Sequence, residues 1–486
     1  MQQRGSHVFK RDDRSDVSSL LAATAMGVYL LVVAGATASI ADAARACTNW
    51  PVCRGPVTLS DPALLIAWGH RAVALLVGCL ALATGVAALR ARHRLRRRVL
   101  ATLAVGIALF PVQVGIGAVV VTSGPTDVLT TAHLVVGMVL FTALVVALAW
   151  ELEPDTPDAP ADGWAVEPGV DSADESDAPV AAADAALTAP ADLPPLKRAT
   201  ATLSAYFRLM KPRLMWLLCL VAAAGMALAS TGGDDLTVRT VVLTLGGGVL
   251  AIGASGTFNH VLEREKDKKM DRTSDRPIAT HQIPVRRAVA FGVGLAGLSL
   301  AVFAQVNLLA AALGLSAILF YSVVYTLVLK PNTVQNTVIG GFAGALPALI
   351  GWAAVTGTFG LPGLALAGVI FLWTPAHFYN LALAYKEDYA KGGFPMMPVV
   401  RGEAATRKHI LYYLAATLVA AVALAAMTGL GWVYAATTCA FGGVFLWTVL
   451  RLHRERTESA AFRAFHASNA YLGALLVAIV VDALAV

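Results

Sequence analysis

Three acidic side chains recur at every fourth position where a long apolar segment ends. Glu263, Asp267 and Asp271 follow Asn259 in the stretch NHVLEREKDKKMDRT. Positions four apart advance about 400° around a helix, so these side chains would form one polar stripe if a helix continued through them. Carboxylates on one stripe repel one another and require a cation. The register favours a Mg²⁺ site that substrate phosphates complete, and a solvated helix end of mixed charge is the alternative.

A second acidic stretch, YKEDY, contains Lys386 and Asp388 at the end of another apolar segment. Two acidic helix ends on one side of a membrane would each hold a metal ion and bridge a diphosphate between them. Basic side chains nearby would neutralise the charge on a departing diphosphate, and they are Arg272, Arg276, Lys330, Lys386 and Arg401. The allylic cation left behind needs a water-poor cavity until a nucleophilic carbon arrives. These residues therefore predict transfer of a prenyl group from a prenyl diphosphate.

The elements that must position these residues are membrane helices. The 486-residue chain is 57% hydrophobic and only 14% charged, with a mean hydropathy of +0.67, which is far too apolar for an ordinary soluble protein. Thirteen apolar segments are long enough to cross a hydrocarbon core of about 30 Å. They are 20–41, 63–89, 98–122, 128–150, 214–230, 238–262, 286–304, 306–329, 337–356, 360–385, 409–428, 430–450 and 463–486. The sequence predicts an all-α polytopic membrane protein, with a four-helix bundle ahead of a nine-helix bundle.

The two predicted bundles are separated by an acidic segment. Residues 151–196 contain no Lys or Arg and many Asp, Glu, Ala and Pro, so we expect a flexible linker between domains at 1–150 and 197–486. Loops rich in basic residues, such as 90–98 and 263–288, alternate with loops that have almost none. This pattern predicts a multi-pass protein of the cell membrane with a cytoplasmic N-terminus and an outside C-terminus. The net charge of +6 then reflects topology and an affinity for anionic membrane lipid, not nucleic-acid binding.

The cysteines divide into two groups by position. Cys79, Cys219 and Cys439 fall inside predicted helices, where cysteine packs as a small apolar side chain. Cys47 and Cys53 are the first and last residues of the stretch CTNWPVC in a predicted outside loop, where the redox compartment permits a disulfide. We expect these two to be bridged, and two free thiols or transient thiol chemistry are the alternatives.

Residues 197–486 resemble the UbiA-type intramembrane prenyltransferases, and within them the haem O synthase branch. The stretches that carry the resemblance are KPRLM, NHVLEREKDKKMDRTSDRPI, YTLVLKPNTVQNTVIGGFAGALPALIGW and WTPAHFYNLALAYKEDYAKGGFPMMPVV. The resemblance implies two metal motifs, which consist of Asn259, Glu263, Asp267 and Asp271 and of Lys386 and Asp388. Glu263 stands where the family usually has Asp, so its carboxylate is kept on a longer side chain.

Enzymes of this branch use Mg²⁺ to transfer a farnesyl group from farnesyl diphosphate to a vinyl group of protoheme IX (haem b). Water then captures the new cation, which leaves the hydroxyethylfarnesyl chain of haem O. His377, an ionisable residue inside a predicted membrane helix, matches a family position that would contact the porphyrin; a hydrogen bond to a neighbouring helix is the alternative. Tyr325 and Lys330 would face the diphosphate, and interfacial placement is the alternative for Tyr325.

The front bundle carries a matched pair of histidines. His70 and His133 lie at similar depth in segments that run in the same direction, so they could ligate one haem iron from both sides; structural hydrogen bonding is the alternative. Residues 47–141 resemble one half of haem A synthase, through CTNWPVCRG, AWGHRAVALLVG and PVQVGIGAVVVTSGPTDVLTTAHLVVGMVLF. That family has two such halves, so a single half would pair with itself. A family Glu corresponds to Ala67 here, which implies haem binding more than oxidation chemistry.

Two rival functions are compatible with parts of the pattern. A prenyl group would instead pass to a quinone or another aromatic acceptor, but TPAHFYN and the haem-binding front domain argue against this. A non-catalytic haem carrier is the second rival, and the carboxylate register argues against it because a carrier needs no diphosphate site. The residues alone leave open whether the donor has three or four isoprene units.

Overall fold

The protein is helical wherever its structure is described. The residues that the computed structural model describes are 12–40, 43–53, 61–153, 194–233 and 235–485. They contain no β-strand, and thirteen of their helices are long and apolar enough to cross a membrane. The prediction of an all-α polytopic membrane protein is confirmed. Most of the predicted linker, residues 154–193, lies outside the described residues.

The front bundle consists of four long helices. They are α1 Asp12–Ile40, α2 Pro62–Arg90, α3 Arg97–Ser123 and α4 Asp127–Leu152. The side chain of Asp61 accepts the amide N–H of Leu64 at the start of α2, and Thr126 accepts that of Leu129 at the start of α4. Helices α2 and α4 both begin directly after loops that the sequence analysis expects on the outside. His70 and His133 are therefore each within about three turns of a helix start on the same side.

In the described part of the chain, the helix Pro195–Leu209 is followed by nine helices that belong to candidate membrane spans, and these nine form a closed ring. They are α5 Pro212–Ser230, α6 Val238–Leu262, α7 Val285–Ala304, α8 Leu308–Leu319, α9 Asn336–Thr356, α10 Leu361–Ala384, α11 Gly402–Thr428, α12 Trp432–Glu455 and α13 Glu458–Ala485. Each packs on the next in chain order, and α13 packs back on α5. Helices α5 and α9 also pack across the ring. We call the end of the ring where α5 begins and α6 ends its basic end.

One predicted helix changes its winding. The chain is α-helical from Leu308 to Leu319 and then continues as a π-helix over Phe320–Leu329. The hydroxyl of Thr326 donates to the carbonyl of Tyr321 at 2.8 Å, five residues back, which fits the wider turn. Gly340 of α9 gives room to the ring of Tyr325, because a Cβ there would lie 2.6 Å from the ring. Hydropathy predicts the span but not this change, and π-helical turns frequently occur at functional sites.

The front bundle packs directly on the ring. Helix α1 contacts α12, and α4 contacts α11. The Arg407 guanidinium of α11 donates to Glu153, which follows α4, at 2.6 Å, and both side chains are buried. The hydroxyl of Tyr29 on α1 donates to the carbonyl of Thr438 on α12, where Gly442 leaves room for it. These contacts join the two bundles through a packed interface as well as through the chain.

Candidate active site

The first acidic motif lies where α6 ends. The helix stops at Leu262, and Glu263 follows as the C-cap, with its amide N–H donating to the carbonyl of Asn259. A short helix over Arg264–Asp267 comes next, and turns follow it. The predicted stripe requires a helix that continues to Asp271, but the helix ends before this residue. Glu263 and Asp267 remain one helical turn apart, whereas Asp271 lies in the irregular loop that follows.

Glu263 and Asp267 are buried carboxylates that share a cation. The Arg276 guanidinium donates to both oxygens of Asp267 at 2.8 Å, and the same nitrogen lies 3.9 Å from Glu263. Lys330 donates to the other oxygen of Glu263 at 2.6 Å. Burial alone would raise the pKa of Glu263, but Lys330, Lys211 and Arg276 together hold it below its usual value. The two carboxylates thus converge on a single cationic nitrogen.

Lys211 is a site residue that the sequence reasoning missed. It precedes α5 with a φ of 56°, a left-handed conformation that is uncommon for a residue with a side chain and often marks a functional site. Its ammonium group donates to Asn259 Oδ1 and, at 3.3 Å, to the hydroxyl of Tyr321. Burial lowers the pKa of Lys211 to about 7. The signal in the sequence is the stretch KPRLM, which carries part of the family resemblance and places a lysine directly before the proline that begins an apolar segment.

Asn259 connects Lys211 to the π-helix. Its side-chain amide donates to the hydroxyl of Thr326 at 3.2 Å, and its carbonyl oxygen accepts from Lys211. Asn259 is 1% exposed, so both of its polar groups are used inside the protein. Asn259, which the sequence predicts to be a catalytic residue, therefore links the start of α5 to the π-helical segment.

The second acidic motif lies against the first through backbone contacts. Asp388 accepts the amide N–H of Asp271 at 2.7 Å and that of Arg272 at 3.3 Å. The carboxylate of Asp271 is 83% exposed and pairs with Lys391 at 2.7 Å. The fold thus brings Asp388 and Asp271 together, but the carboxylate of Asp388 holds the loop backbone. Among the described residues, no three acidic, histidine or cysteine side chains converge on one point.

The predicted basic residues are distributed over both motifs. Arg276 and Lys330 contact the first motif, as described above. The Arg272 guanidinium lies over the rings of Tyr385 and Tyr389 and donates to the hydroxyl of Tyr389 at 3.1 Å. Lys386 pairs with Glu403 at 3.0 Å, and Arg401 lies directly before α11, partly buried. Lys386 and Arg401 therefore lie on the side of the second motif.

Two cavities adjoin these motifs. An apolar cavity lies between α5, α6, α9 and the π-helical segment, with Lys211 and Tyr321 at its basic end. The second, of about 460 Å³, is polar and lies over the ends of α10 and α13, where its lining includes Arg272, Lys386 and Asp388. Charged groups at the basic end thus face an apolar cavity on one side and a polar cavity on the other.

His377 lies deeper in the ring, between α10 and α13. Its Nδ1 is 2.7 Å from the hydroxyl of Ser468, and its ring stacks on Trp373 and Phe465 with centroids 4.2 and 4.5 Å away. The structure therefore contains the hydrogen bond to a neighbouring helix that was the alternative role for this residue. We call His377, Trp373, Phe465 and Ser468 the His377 cluster. Ala461 of α13 lines the polar cavity, and Phe465 lies one turn further along the same helix. The His377 cluster therefore lies just beyond the membrane-facing end of that cavity.

The two histidines of the front bundle have unused nitrogen atoms. The Nδ1 atoms of His70 and His133 are buried, and neither has a hydrogen-bond partner among the described residues. A Cβ at Gly35 would lie 3.3 Å from the ring of His70, and one at Gly117 would lie 3.0 Å from that of His133. A side chain at either glycine would press on the neighbouring imidazole ring. Unpaired imidazole nitrogens of this kind are suited to ligate a metal.

Next to His70 lies the cysteine loop. Cys47 and Cys53 are joined by a disulfide. The Arg71 guanidinium donates to the carbonyl oxygens of Cys47 at 3.1 Å and Asn49 at 2.8 Å. Cys47 and Cys53 belong to one buried apolar cluster with Ala67. Arg71, the residue after His70, thus holds this loop at the end of the front bundle.

Family comparisons cover both bundles. The model of the UbiA prenyltransferase family matches residues 217–473, and that of a cytochrome oxidase assembly protein family matches residues 18–167. Among solved structures, one described as giving insights into the biosynthesis of digeranylgeranylglyceryl phosphate synthase in membranes covers 59% of this chain and 100% of its own. Its TM-score is 0.50 at 16% identity, so this likeness concerns the fold alone.

Relatives of known sequence match almost the whole chain. The protoheme IX farnesyltransferase of Haloarcula marismortui is 63% identical over 472 residues, which cover 96% of this chain and 98% of the relative. Protoheme IX farnesyltransferase 1 of Natronomonas pharaonis is also 63% identical and covers 96% of this chain and 99% of its own. The chain therefore belongs to the UbiA prenyltransferase family, among the protoheme IX farnesyltransferases, and carries a cytochrome oxidase assembly protein domain in front.

Proposed function

We propose that this prenyltransferase moves a farnesyl group from farnesyl diphosphate to a vinyl carbon of haem b, with Mg²⁺ as cofactor, and so makes haem O. The observation that carries the proposal is a buried charge cluster at the mouth of an apolar cavity. We define the Lys211 cluster as Lys211, Glu263, Asp267, Arg276 and Lys330. The printed names of the relatives at 63% identity support the same acceptor and donor.

The Lys211 cluster has the charge that a diphosphate requires. Its three cationic side chains outnumber its two carboxylates by one charge. A divalent ion would raise the excess to about three, which balances the charge of an ionised prenyl diphosphate at neutral pH. A site of this kind attracts the diphosphate and stabilises it as it leaves.

The residues fit the metal that the reaction requires. Glu263 and Asp267 offer hard oxygen atoms, and both already converge on one cationic nitrogen of Arg276. We propose that these two residues hold Mg²⁺, with Asp271 and Asp388 closing the site through the loop they share. The bound ion would polarise the diphosphate and lower the barrier to its departure. Two protein carboxylates leave room for phosphate oxygens to complete the coordination.

The chain itself performs the remaining steps. Lys211, Arg276 and Lys330 bind and orient the diphosphate, so that the allylic carbon lies at the mouth of the cavity. The C–O bond to diphosphate breaks, and the apolar wall excludes water from the allylic cation. The vinyl carbon of haem b then forms the new C–C bond, and water adds to the resulting cation and loses a proton. The product carries one farnesyl and one hydroxyl group more than haem b.

The acceptor would approach from the side of the second motif. The polar cavity of about 460 Å³ is lined by Arg272, Lys386 and Asp388 and lies over the His377 cluster. Basic groups there would pair with the propionates of haem b, and stacked aromatic rings below would contact the porphyrin. We propose Arg272, Lys386 and His377 as acceptor-binding residues, with Arg401 and Tyr325 at the edges of the two sites.

The test is a reconstituted reaction. Purified full-length protein in detergent is incubated with haem b, Mg²⁺ and farnesyl diphosphate, and the extracted porphyrin is identified by mass spectrometry. We expect a mass gain of one farnesyl group plus one hydroxyl group, and loss of the product when a chelator removes the divalent ion. Unmodified haem b from folded protein would contradict the proposal.

We propose a second role for the front bundle, which is to bind haem through His70 and His133. Their unpaired Nδ1 atoms, with Gly35 and Gly117 beside the rings, support this role. Haem titrated into the protein should give the absorption spectrum of bis-histidine ligation, and His70→Ala or His133→Ala should abolish it. The matched control is His93→Ala, because His93 is exposed between α2 and α3.

We propose that the basic end of the ring faces the cytoplasm of the cell membrane and that the single front half pairs with a second copy. The alternation of basic loops supports the orientation. Protease or thiol-reagent access to tags at the two termini in sealed vesicles would test the orientation. The mass of the detergent-solubilised particle would test the pairing, and a monomer mass would contradict it.

A further inference from the structure

Arg407 of α11 lines the polar cavity and is held there by a carboxylate of the front bundle. Its Nε donates to Glu153 Oε1 at 2.6 Å, and its Nη2 donates to Oε2 at 3.3 Å. Arg407 is 5% exposed and Glu153 is 4% exposed. Two parallel hydrogen bonds between a guanidinium group and a carboxylate fix both position and plane. Glu153 therefore orients the guanidinium group of Arg407 in the cavity wall.

The third nitrogen of the same guanidinium group lies near a second carboxylate. Nη1 of Arg407 is 3.6 Å from Glu403 Oε2, which is too far for a hydrogen bond. The other oxygen of Glu403 accepts a hydrogen bond from the ammonium group of Lys386 at 3.0 Å. Glu403 and Lys386 also line the cavity. A single carboxylate of the chain thus spans two cations of the cavity wall.

The two carboxylates beside Arg407 differ in how firmly they are held. Glu153 is buried and accepts two hydrogen bonds, so it is a permanent partner. The side chain of Glu403 is 46% exposed and that of Lys386 is 41% exposed. Ion pairs with this exposure are weak, so a carboxylate of a ligand can displace Glu403. It would then accept charge-assisted hydrogen bonds from both Nη1 of Arg407 and Lys386.

The location of this carboxylate position suits the acceptor. The lining of the cavity extends from Arg407, beside the front bundle, to Asp271 and Arg272 in the loop that ends the first motif. In haem b the two propionates and the two vinyl groups leave opposite edges of the macrocycle. A propionate at Arg407 therefore leaves the vinyl edge free to face the first motif, where the donor is proposed to bind.

We propose that Arg407 is an acceptor-binding residue and that Glu403 occupies, in the empty cavity, the place of one propionate of haem b. The proposal rests on the proposed function, since the polar cavity is taken to hold the acceptor. It also makes Glu153 of the front bundle a positioning residue for a site in the ring.

The experiment compares haem b with its dimethyl ester, which lacks the free carboxylates. The full-length protein is assayed at saturating farnesyl diphosphate by the mass of the modified porphyrin, and KM and kcat are measured for each acceptor. The wild type should have a KM about tenfold lower for haem b than for the ester. In Glu403→Gln, which leaves the buried pair intact, KM for haem b should fall about threefold, because the competing charge is gone. The ester's KM and both kcat values should not change.

The matched control is Glu458→Gln. Glu458 is another exposed acidic residue that lines the same cavity, so its removal changes the charge of the cavity equally. KM for both acceptors should equal that of the wild type. A fall of KM for haem b as large as in Glu403→Gln would overturn the proposal, because it would show a general effect of charge.

Two further variants test the role of the buried pair. In Arg407→Lys the ammonium group keeps a charge for Glu153 but has no planar fork to serve a second carboxylate. In Glu153→Gln the guanidinium group loses the charge that orients it. Both variants should raise KM for haem b about tenfold and leave that of the ester unchanged. A merely structural role would change KM for the two acceptors equally.

Two results would overturn the proposal: an unchanged or raised KM for haem b in Glu403→Gln, or no selective loss of haem b over its ester in Arg407→Lys. If the wild type gives no product with either acceptor, the proposed function fails, and the carboxylate position is tested by binding. The probe is metal-free protoporphyrin IX, which has the same propionates but no iron for histidines to ligate, and its fluorescence reports Kd. We expect the free acid to bind more tightly than its dimethyl ester, and Arg407→Lys to remove this preference. Equal affinities in the wild type would overturn the proposal on this arm.

Discussion

At the residue scale, the Lys211 cluster holds its charges in mutual contact and away from solvent. Glu263 and Asp267 are 4% and 1% exposed, and each carboxylate is neutralised by a neighbouring cation. Removing one member of such a buried set leaves its partner uncompensated, which is costly. Single substitutions in the cluster should therefore be read against an exposed residue of the same type.

The first prediction concerns Asp267. In Asp267→Asn the proposed metal-binding carboxylate and the double hydrogen bond from Arg276 are both altered, so kcat for prenyl transfer should fall by at least about 100-fold. Mass spectrometry of the porphyrin product measures this loss. The control is Glu265→Gln on the same short helix, since Glu265 is 65% exposed and pairs only with neighbouring basic side chains. Near wild-type turnover in Asp267→Asn would remove Asp267 from the site.

The second prediction is a pH dependence set by Lys211. Burial lowers the pKa of Lys211 to about 7, so the free site loses this positive charge as the pH rises through that value. In the proposed site this charge binds the diphosphate, and kcat/KM for the donor should therefore fall as the pH rises above about 7. Lys211→Arg should move the fall to higher pH, because a guanidinium stays protonated. A wild-type profile that does not fall between about pH 6 and about pH 9 would contradict this role.

At the element scale, the site depends on where helices stop and cross. Helix α6 ends at Leu262, which turns Glu263 and Asp267 toward Arg276 and releases Asp271 to the loop held by Asp388. The π-helical segment directs Tyr321 toward Lys211. Helices α5 and α9 come into backbone contact at Gly225 and Gly351. These three local features set the geometry of the proposed donor site and its surroundings.

The third prediction tests the crossing itself. In Gly351→Ala the added methyl group collides with the carbonyl of Ala222, so the helices must separate and the free energy of unfolding should fall by about 1–3 kcal/mol. Thermal unfolding in detergent measures the loss. Gly368→Ala in α10 is the control, because its Cβ meets nothing within 4 Å and alanine favours the helix. Equal stability of the two variants would contradict a rigid crossing.

At the scale of the whole molecule, the front bundle and the ring share a packed interface. Helix α1 lies on α12 and α4 lies on α11, with the Tyr29 hydroxyl bonded inside the contact. Arg407 lines the polar cavity and also binds Glu153 from the front bundle. The front bundle therefore contributes to fixing one wall of the proposed acceptor site.

The fourth prediction concerns this junction. Arg407→Met removes the cation from the buried pair and leaves Glu153 with Arg456 at 3.8 Å, so the protein should lose about 3 kcal/mol of stability. The control is Arg451→Met, which removes a half-exposed ion pair with Glu455 and should cost at most about 1 kcal/mol. Thermal unfolding measures both, and proteolysis between the domains should accelerate only in Arg407→Met. An equally small effect in both variants would show that the pair does not support the junction.

Local features of the chain are enough to predict much of this architecture. The thirteen candidate membrane helices of the described residues can be predicted from hydropathy over about 20 residues. A backbone in lipid must satisfy its own hydrogen bonds, so an apolar segment of this length forms a helix. The acidic motifs and the CTNWPVC loop are also local patterns. In Cys47 and Cys53 the bridged residues are six positions apart, so their proximity follows from the chain itself.

Tertiary packing alone decided which charges meet. Lys211 reaches Asn259 across 48 positions and Tyr321 across 110, Lys330 reaches Glu263 across 67, and Arg407 reaches Glu153 across 254. The sequence determined the membrane helices and the acidic motifs, because periodicity, hydropathy and short motifs act between near neighbours. The structure decided the end of α6, the π-helical segment, the Lys211 cluster and the close crossing of α5 and α9. Each depends on which helix faces pack against one another across the ring, and no local pattern encodes that choice.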